Sequence, residues 1–422
     1  MVIKDFDEIY GVEIPDSWSV EKLEPKIGNV KSGKRLPKGF YVTDMHTNHP
    51  YIRVIDMREG YVDTSELKYV PDEAFAAIQN YRIYKDDIYI SVAGTLGIVG
   101  QIPAYLDGAN LTENANRITN IKCNVKYLMY WLMSSIIQNI ISQSQTLGAQ
   151  PKLALTRIRN FPVILPPIQE QNKIVEALSD IDSLLLDLQK LIRKKKDIRQ
   201  GTMQMLVTGK KRLDGFDGNW QTTTLDKLCR LVTKQTGFDY SDEIKLSLVT
   251  APQIGTIPFI QNKDFEAFDI NYNTDFYIPY DVAEKYPKIL LDEVCLLISI
   301  SGRIGNVAVF DNKQTAFAGG AVGIAKLFNP DLASWCMLYL SGKDGQEQIF
   351  SNEKVGAQHN LTVADVRKLE IRLPEKTERE AIIGVLADMD DEISLLVEKL
   401  HKYEKVKKGM MEELLTGKVR LV

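Results

Sequence analysis

Residues 165–213 read LPPIQEQNKIVEALSDIDSLLLDLQKLIRKKKDIRQGTMQMLVTGKKRL, and residues 373–421 read LPEKTEREAIIGVLADMDDEISLLVEKLHKYEKVKKGMMEELLTGKVRL. The two stretches align without a gap at an offset of 208, with 17 of 49 positions identical, and both close on T-G-K-x-R-L. The same offset carries Gly148-Ala149-Gln150 onto Gly356-Ala357-Gln358, and Gly94 and Gly97 onto Gly302 and Gly305. Trp18 and Trp220 head the two halves at an offset of 202, so length variation falls early in each half. Chance supplies a shared glycine pair but not several landmarks in register. The chain is therefore read as a duplicated unit.

Each copy of the repeated stretch has the pattern of a long helix. Ile174, Leu178, Ile181, Leu185, Leu188 and Ile192 recur at the 4-3-4-3-4 spacing of a coiled-coil seam. Ile382, Leu386, Met389, Ile393, Leu396 and Leu400 repeat it, with Tyr403 continuing. Pro167 suits a first helical turn, and Gly209 and Gly417 suit the stops. A helix over 168–207 would be ~60 Å long at 1.5 Å per residue. Two like seams in one chain can cover each other, and the domain between them returns the chain. The pattern predicts two antiparallel helices, over 168–207 and 376–415, with an internal pseudo-two-fold repeat. The alternative is that each helix lies flat on its own domain; the polar outer faces of both copies weigh against it.

The remaining segments are mixed. Strands are expected at 87–92, 158–164, 293–300 and 369–373, and helices at 127–141 and 332–340. The expected class is α+β: two similar mixed α/β domains, 1–164 and 214–372, with conserved-pattern helical segments 165–213 and 373–422.

Composition bounds the function. The 422 residues are 44% hydrophobic and 26% charged, an ordinary globular balance with room for more than one core. The longest apolar runs, such as 294–298, are strand-sized against the ~20 residues of a membrane span, so no membrane partner is expected. The first sixteen residues carry five acids and no apolar stretch, which predicts no signal peptide. Cys123, Cys229, Cys295 and Cys336 lie 106, 66 and 41 residues apart, with no C-x-x-C. That spacing fits buried free thiols in a reducing cytoplasm. The net charge is -4, which by itself disfavours bulk electrostatic binding of nucleic acid. The charge is uneven, however: residues 161–213 hold 10 Lys+Arg against 6 Asp+Glu, whereas 214–370 hold 14 against 21.

A search for catalysis finds no motif. Ser91-Val-Ala-Gly94-Thr95-Leu-Gly97-Ile-Val-Gly100 has the spacing G-x-x-G-x-x-G, which is neither a dinucleotide fingerprint nor a P-loop. Its counterpart is Ser301-Gly302-Arg303-Ile304-Gly305-Asn306. Both read as a tight turn between apolar strands, tipped by Thr95 in one copy and by Arg303 and Asn306 in the other. Only His46, His49, His359 and His401 are present, none in zinc spacing, and G-x-S-x-G is missing, so no metal and no catalytic residue is expected. Nucleic-acid signals are local. Lys31, Lys34, Arg35 and Lys38 fall within eight residues without an acid, as either a solvated loop or a phosphate-contacting one. Gln145, Gln150 and Lys152, and Gln358 and Asn360 in the second copy, are polar groups of the type that reads base edges.

Taken together, these features resemble the specificity (S) subunit of type I restriction–modification systems. The likeness rests on D87-I-Y-I-S-V-A-G-T-L-G-I-V-G, on Gly148-Ala149-Gln150-Pro151-Lys152-Leu153 leading to Ile164-Leu165-Pro166-Pro167-Ile168-Gln169-Glu170-Gln171, and on Leu206-Val207-Thr208-Gly209-Lys210. Weaker versions follow at Gly356-Ala357-Gln358-His359-Asn360-Leu361 and Leu373-Pro374-Glu375, with Glu378 and Arg379 standing where the first copy has Glu170 and Gln171. The resemblance implies two target recognition domains, each reading half of a bipartite sequence in double-stranded DNA. It implies helical regions that dock two methyltransferase (M) subunits and, through them, restriction (R) subunits. It also implies a chain without its own active site or cofactor; S-adenosylmethionine, ATP and Mg would belong to the partner subunits. The competing reading is a non-DNA assembly scaffold with two protein-binding modules.

Overall fold

In a computed structural model of the chain, which describes residues 11–143, 151–351 and 360–421, the molecule divides into two compact units. One is Met1–Gln189 with Glu398–Val422; the other is Lys190–Val397. Each unit therefore takes part of both long helices.

The units share one plan. In the first, the antiparallel strands Asn29–Ser32, Ala115–Thr119, Ile88–Ser91 and Val99–Gly100 form a four-stranded sheet in that order. In the second, Cys229–Lys234, Val322–Leu327, Cys295–Ser299 and Val307–Phe310 do the same. A further four-stranded sheet in each unit contains one parallel pair, Pro50–Ile52 with Ala109–Leu111 and Thr256–Ile260 with Ala316–Ala318. A two-stranded ladder links the head of each domain to the strand before its long helix: Ser19–Lys22 with Pro162–Leu165, and Gln221–Thr224 with Glu370–Leu373. The expected strand at 158–164 is shorter, because Leu155–Arg159 forms a short helix before Pro162 starts the ladder. The helix expected over 127–141 is two, Val125–Met133 and Ser135–Ser142, separated by Ser134 in extended conformation.

The long helices run Ile168–Val207 and Lys376–Leu414. Within each unit they are antiparallel. In the first, Lys407 Nζ pairs with Asp182 at 2.6 Å. In the second, Lys195 pairs with Glu392 at 2.6 Å, and Arg199 grips Asp390 through two bonds of 2.9 and 2.8 Å. Lys195 and Arg199 are thus committed to carboxylates of the other helix. Ile174, Leu178, Ile181, Leu188, Ile192, Ile382 and Leu386 of the seams are buried, while Leu185, Met389, Ile393, Leu396 and Leu400 are half-buried. Helix pairing and packing on the domain prove compatible. Ile174 and Leu178 share a core with Trp18, Tyr127 and Trp131 of the domain and with Leu414 and Leu415 at the end of the other helix. Ile382 and Leu386 share one with Trp335, Met203, Leu206 and Val207. Each such buried aliphatic side chain contributes roughly 1.5–3 kcal/mol.

The repeated T-G-K-x-R-L closes each unit through a buried carboxylate. Glu170, 5% exposed, accepts from Trp18 Nε1 at 3.0 Å and from Arg420 Nε and Nη2 at 2.6 and 2.8 Å. Glu378, 1% exposed, accepts from Trp220 Nε1 at 3.0 Å and from Arg212 Nη2 at 2.7 Å, with Arg212 Nε on its other oxygen. Each guanidinium also lies 5.4 Å from its indole ring. Gly209 and Gly417 end the helices at φ 69° and 79°, a conformation favouring glycine. A side chain there would meet the indole of Trp220 or of Trp18. The arginine arriving at each glutamate comes from the other copy of the repeat, which is why each unit needs both helices. Gln171 and Arg379, the apparent departure between copies, do the same local job: Gln171 Nε2 donates to Pro166 O at 2.8 Å and Arg379 Nη1 to Pro374 O at 2.7 Å.

Candidate nucleic-acid interface

The antiparallel order of the first unit's main sheet brings three connections to one end. They are the loop after Ser32, the hairpin turn from Ser91 to Val99 and the 112–114 turn before Ala115. The glycine motif is a hairpin turn held by Ser91, whose Oγ donates to Thr95 O at 2.6 Å and accepts from Ile98 N at 2.8 Å. Gly94 and Gly97 sit at φ 77° and 79°. In the second unit Ser299 takes the same place, its Oγ accepting from Asn306 N at 2.8 Å, with Gly302 and Gly305 at φ 73° and 94°. A β-bridge joins Ala93 to Lys152 in one unit and Ser301 to Asn360 in the other.

Each unit therefore gathers some of the residues singled out from sequence and leaves others apart. Exposed Thr95 is brought to Lys152, and exposed Arg303 to Asn360. Lys31 lies exposed on its strand, and Lys38 is exposed in the loop beyond it. Lys34 Nζ stands 5.6 Å from the Tyr81 ring, and Arg35 pairs with Glu113 at 2.9 Å across the same end of the sheet. Asn306 is anchored within the fold, since its Nδ2 donates to Phe265 O at 2.8 Å. Gln145, Gln150 and Gln358 lie outside the described residues.

Among the described residues, Gln235 and Arg117 are buried polar side chains that sequence did not single out. Gln235, next to the strand end Lys234, is 3% exposed, and neither of its amide atoms is bonded among the described residues. Arg117, inside the strand Ala115–Thr119, is 8% exposed and leaves Nε and Nη1 without acceptors. Nothing in the strand's sequence, Ala-Asn-Arg-Ile-Thr, marks it out. Among the described residues no group of three or more His, Cys, Asp or Glu could hold a metal ion, and no helix is long and apolar enough to cross a membrane. The four cysteines are free. Burial pushes the thiols of Cys229 and Cys295 up to about 12 and that of Cys123 up to about 11.

Two copies of one sheet frame, tipped by different polar residues and tied to paired helices, define a tandem-repeat protein. The family model for the type I restriction modification DNA specificity domain matches residues 15–199 and 218–407, and the chain belongs to this family. Over 97% of its length it is 25% identical to a provisionally named type I restriction enzyme MjaX specificity subunit of Methanocaldococcus jannaschii, covering 95% of that protein. It is 23% identical to the type I restriction enzyme MjaVIII specificity subunit of the same organism, over 99% of this chain and 96% of the relative. Its fold matches a solved chain from a type I R-M system with a TM-score of 0.60 at 14% identity, covering 96% of this chain and 100% of that one.

Proposed function

We propose that this specificity subunit reads a bipartite sequence in double-stranded DNA, one half through each unit, and carries no catalytic step of its own. The observation that supports this reading most is the equivalence of the two sheet ends. The same serine-braced glycine turn and the same bridged strand recur in both units, while the exposed tips differ: Thr95 and Lys152 against Arg303 and Asn360. A frame held constant with side chains varied at its tips suits two different sequences read by one mechanism, since base edges are told apart by donor and acceptor patterns.

In this reading the paired helices dock two methyltransferase subunits, which bind S-adenosylmethionine, and restriction subunits that use ATP and Mg attach through those. The chain's acidic balance is compatible with DNA binding, because phosphate neutralisation is shared among subunits and only a few side chains per unit need to reach base edges. The complex would work in the cytoplasm.

The test is an exchange of residues 222–370 for the matching segment of another specificity subunit, followed by methylation mapping in cells carrying the whole system. This exchange leaves Trp220, Arg212 and Glu378 in place. One methylated half-site should change and the other should persist. If both change, or neither does, each unit is not an independent reader; unchanged methylation throughout is what a protein-binding scaffold predicts.

A further inference from the structure

A cavity of about 310 Å³ opens in the first unit beside the basic loop, with Lys31, Ser32, Asn80, Tyr81, Arg117 and Arg159 in its wall. Arg117 and Lys31 are direct partners in the antiparallel register, two cations opposite each other where like charges destabilise a sheet. Arg117 is more than nine-tenths buried, and among the described residues its side chain makes one hydrogen bond, from Nη2 to Asn80 O at 3.3 Å. Burial is the main influence on it; Asp87 is its strongest charge partner but makes no ion pair with it among the described residues, the Tyr84 ring lies 6.0 Å away, and Arg82 repels it. Arg159 is itself tied to Glu24.

The fold does not require a cation at this place. Counted from the bracing serines, Ser91 pairs with Ala115 and Tyr89 with Arg117, as Ser299 pairs with Val322 and Leu297 with Ile324. The row Lys31, Arg117 and Tyr89 of the first unit is therefore the row Thr233, Ile324 and Leu297 of the second. Ile324 and Leu297 are fully buried in an apolar core. The second unit does bury a cation elsewhere, but Lys326 is fully compensated, by Asp292, Glu293 and the carbonyls of Pro287 and Leu290. A buried guanidinium with donors unused among the described residues, paired across the strands with Lys31 at the same cavity, matches an anion that supplies several acceptors. Arginine's planar donor set suits a phosphate group in particular.

We propose that Arg117 and Lys31 form a phosphate-binding site in the first unit, and that the phosphate is a backbone phosphodiester of the DNA bound at the adjoining sheet end. The assignment to DNA rests on the function proposed above; the assignment to a phosphate group does not. The sister unit, with Thr233 and Ile324 in these places, lacks the site.

The test uses the full chain with Arg117→Ile and Lys31→Thr, the residues of the sister row. Inorganic phosphate, compared with chloride at equal ionic strength, should raise the melting temperature of the wild type, not shift Arg117→Ile, and shift Lys31→Thr less. Without phosphate, Arg117→Ile should melt at or above the wild type, because a buried guanidinium with two nitrogens unbonded is replaced by the side chain its sister sheet already holds; a purely structural arginine predicts the opposite. Exposed Lys31 carries little of the fold, so its variant stays informative should Arg117→Ile misfold. In the assembled complex, the salt dependence of duplex binding should lose about one phosphate contact in Arg117→Ile. The wild-type advantage then falls about 3.5-fold between 50 and 200 mM salt, equally for every sequence. Loss of the phosphate shift with an unchanged salt slope would overturn the DNA assignment in favour of a free phosphate compound. No phosphate shift in the wild type, or a shift retained in Arg117→Ile, would overturn the site. A wild-type complex that binds no duplex would refute the proposed function and leave the phosphate arm to decide the site alone.

Discussion

Arg420→Ala removes the cation from a carboxylate that has almost no access to water. Glu170 would retain Trp18 Nε1 and a backbone donor at Leu421 but lose both guanidinium bonds and the charge that compensates it. Leaving one member of a buried pair alone costs about 3–5 kcal/mol. Glu170→Gln keeps the shape and an acceptor for the indole, and it frees Arg420, whose side chain is 30% exposed, to turn toward solvent. That change should cost about 1–2 kcal/mol. In a unit of about 200 residues each kcal/mol is worth roughly 2–4 °C, so Arg420→Ala should lower the melting of the first unit by about 10 °C. Glu170→Gln should lower it by less than half as much. The double variant should melt above Arg420→Ala alone, because no uncompensated charge remains. The pH dependence has a definite sign. Arg420 first, then Trp18, holds the Glu170 carboxyl below its ordinary 4.5, so its contribution is complete above that value and disappears as pH falls through the lowered one. The gap between wild type and Arg420→Ala should therefore be widest near neutrality and close in acid. Differential scanning calorimetry at several pH values decides. A melting point for Arg420→Ala within a degree of the wild type, or Glu170→Gln as the worse of the two, would refute the reasoning.

The two helix-ending glycines should not tolerate alanine equally. Both require positive φ, but a Cβ on Gly417 would lie 2.6 Å from two Pro15 ring carbons, whereas one on Gly209 would meet Trp220 at 3.4 Å. Gly417→Ala should lose several degrees more than Gly209→Ala in the same melting experiment. Thiol reagent at pH 8 should modify the native chain slowly, since burial raises Cys123, Cys229 and Cys295 far above that pH, and should find four thiols after denaturation. Fast stoichiometric labelling of the native protein would contradict the burial.

The long helices were legible in sequence because their signals are local and periodic. A seam of Ile174, Leu178 and Ile181, a proline ahead of it and a glycine beyond it place the ends of the first helix at Ile168 and Val207. The glycine hairpins were legible for the same reason: only glycine takes the positive φ their turns require. The short helix Leu155–Arg159 was missed because five residues carry no full period, and the split at Ser134 because both flanking segments are equally apolar. The role of T-G-K-x-R-L was visible only as repetition. Its arginine acts on a glutamate 250 residues away in one unit and 166 in the other, and no pattern along the chain links the two. Arg117 was invisible for a related reason: whether a strand arginine faces solvent or a cavity depends on which strands flank it.

The duplication separates what the fold needs from what recognition needs. Both copies hold the Trp–Glu–Arg cluster, the serine-braced turn and the helix seam, including the exchange of Gln171 for Arg379 with its bond to a proline carbonyl retained. Such positions tolerate only substitutions that rebuild the same contact. The copies part at Thr95 and Arg303, at Lys152 and Asn360, and at Arg117 and Ile324. Four of these six are exposed tips, where divergence costs the fold nothing. The last pair is different, because it is buried in both units and polar in only one. A core position under stability alone drifts among apolar residues of similar size. An arginine there, with donors unused and a lysine opposite, runs against stability, and it is the position at which function has the stronger claim on the first unit's sheet.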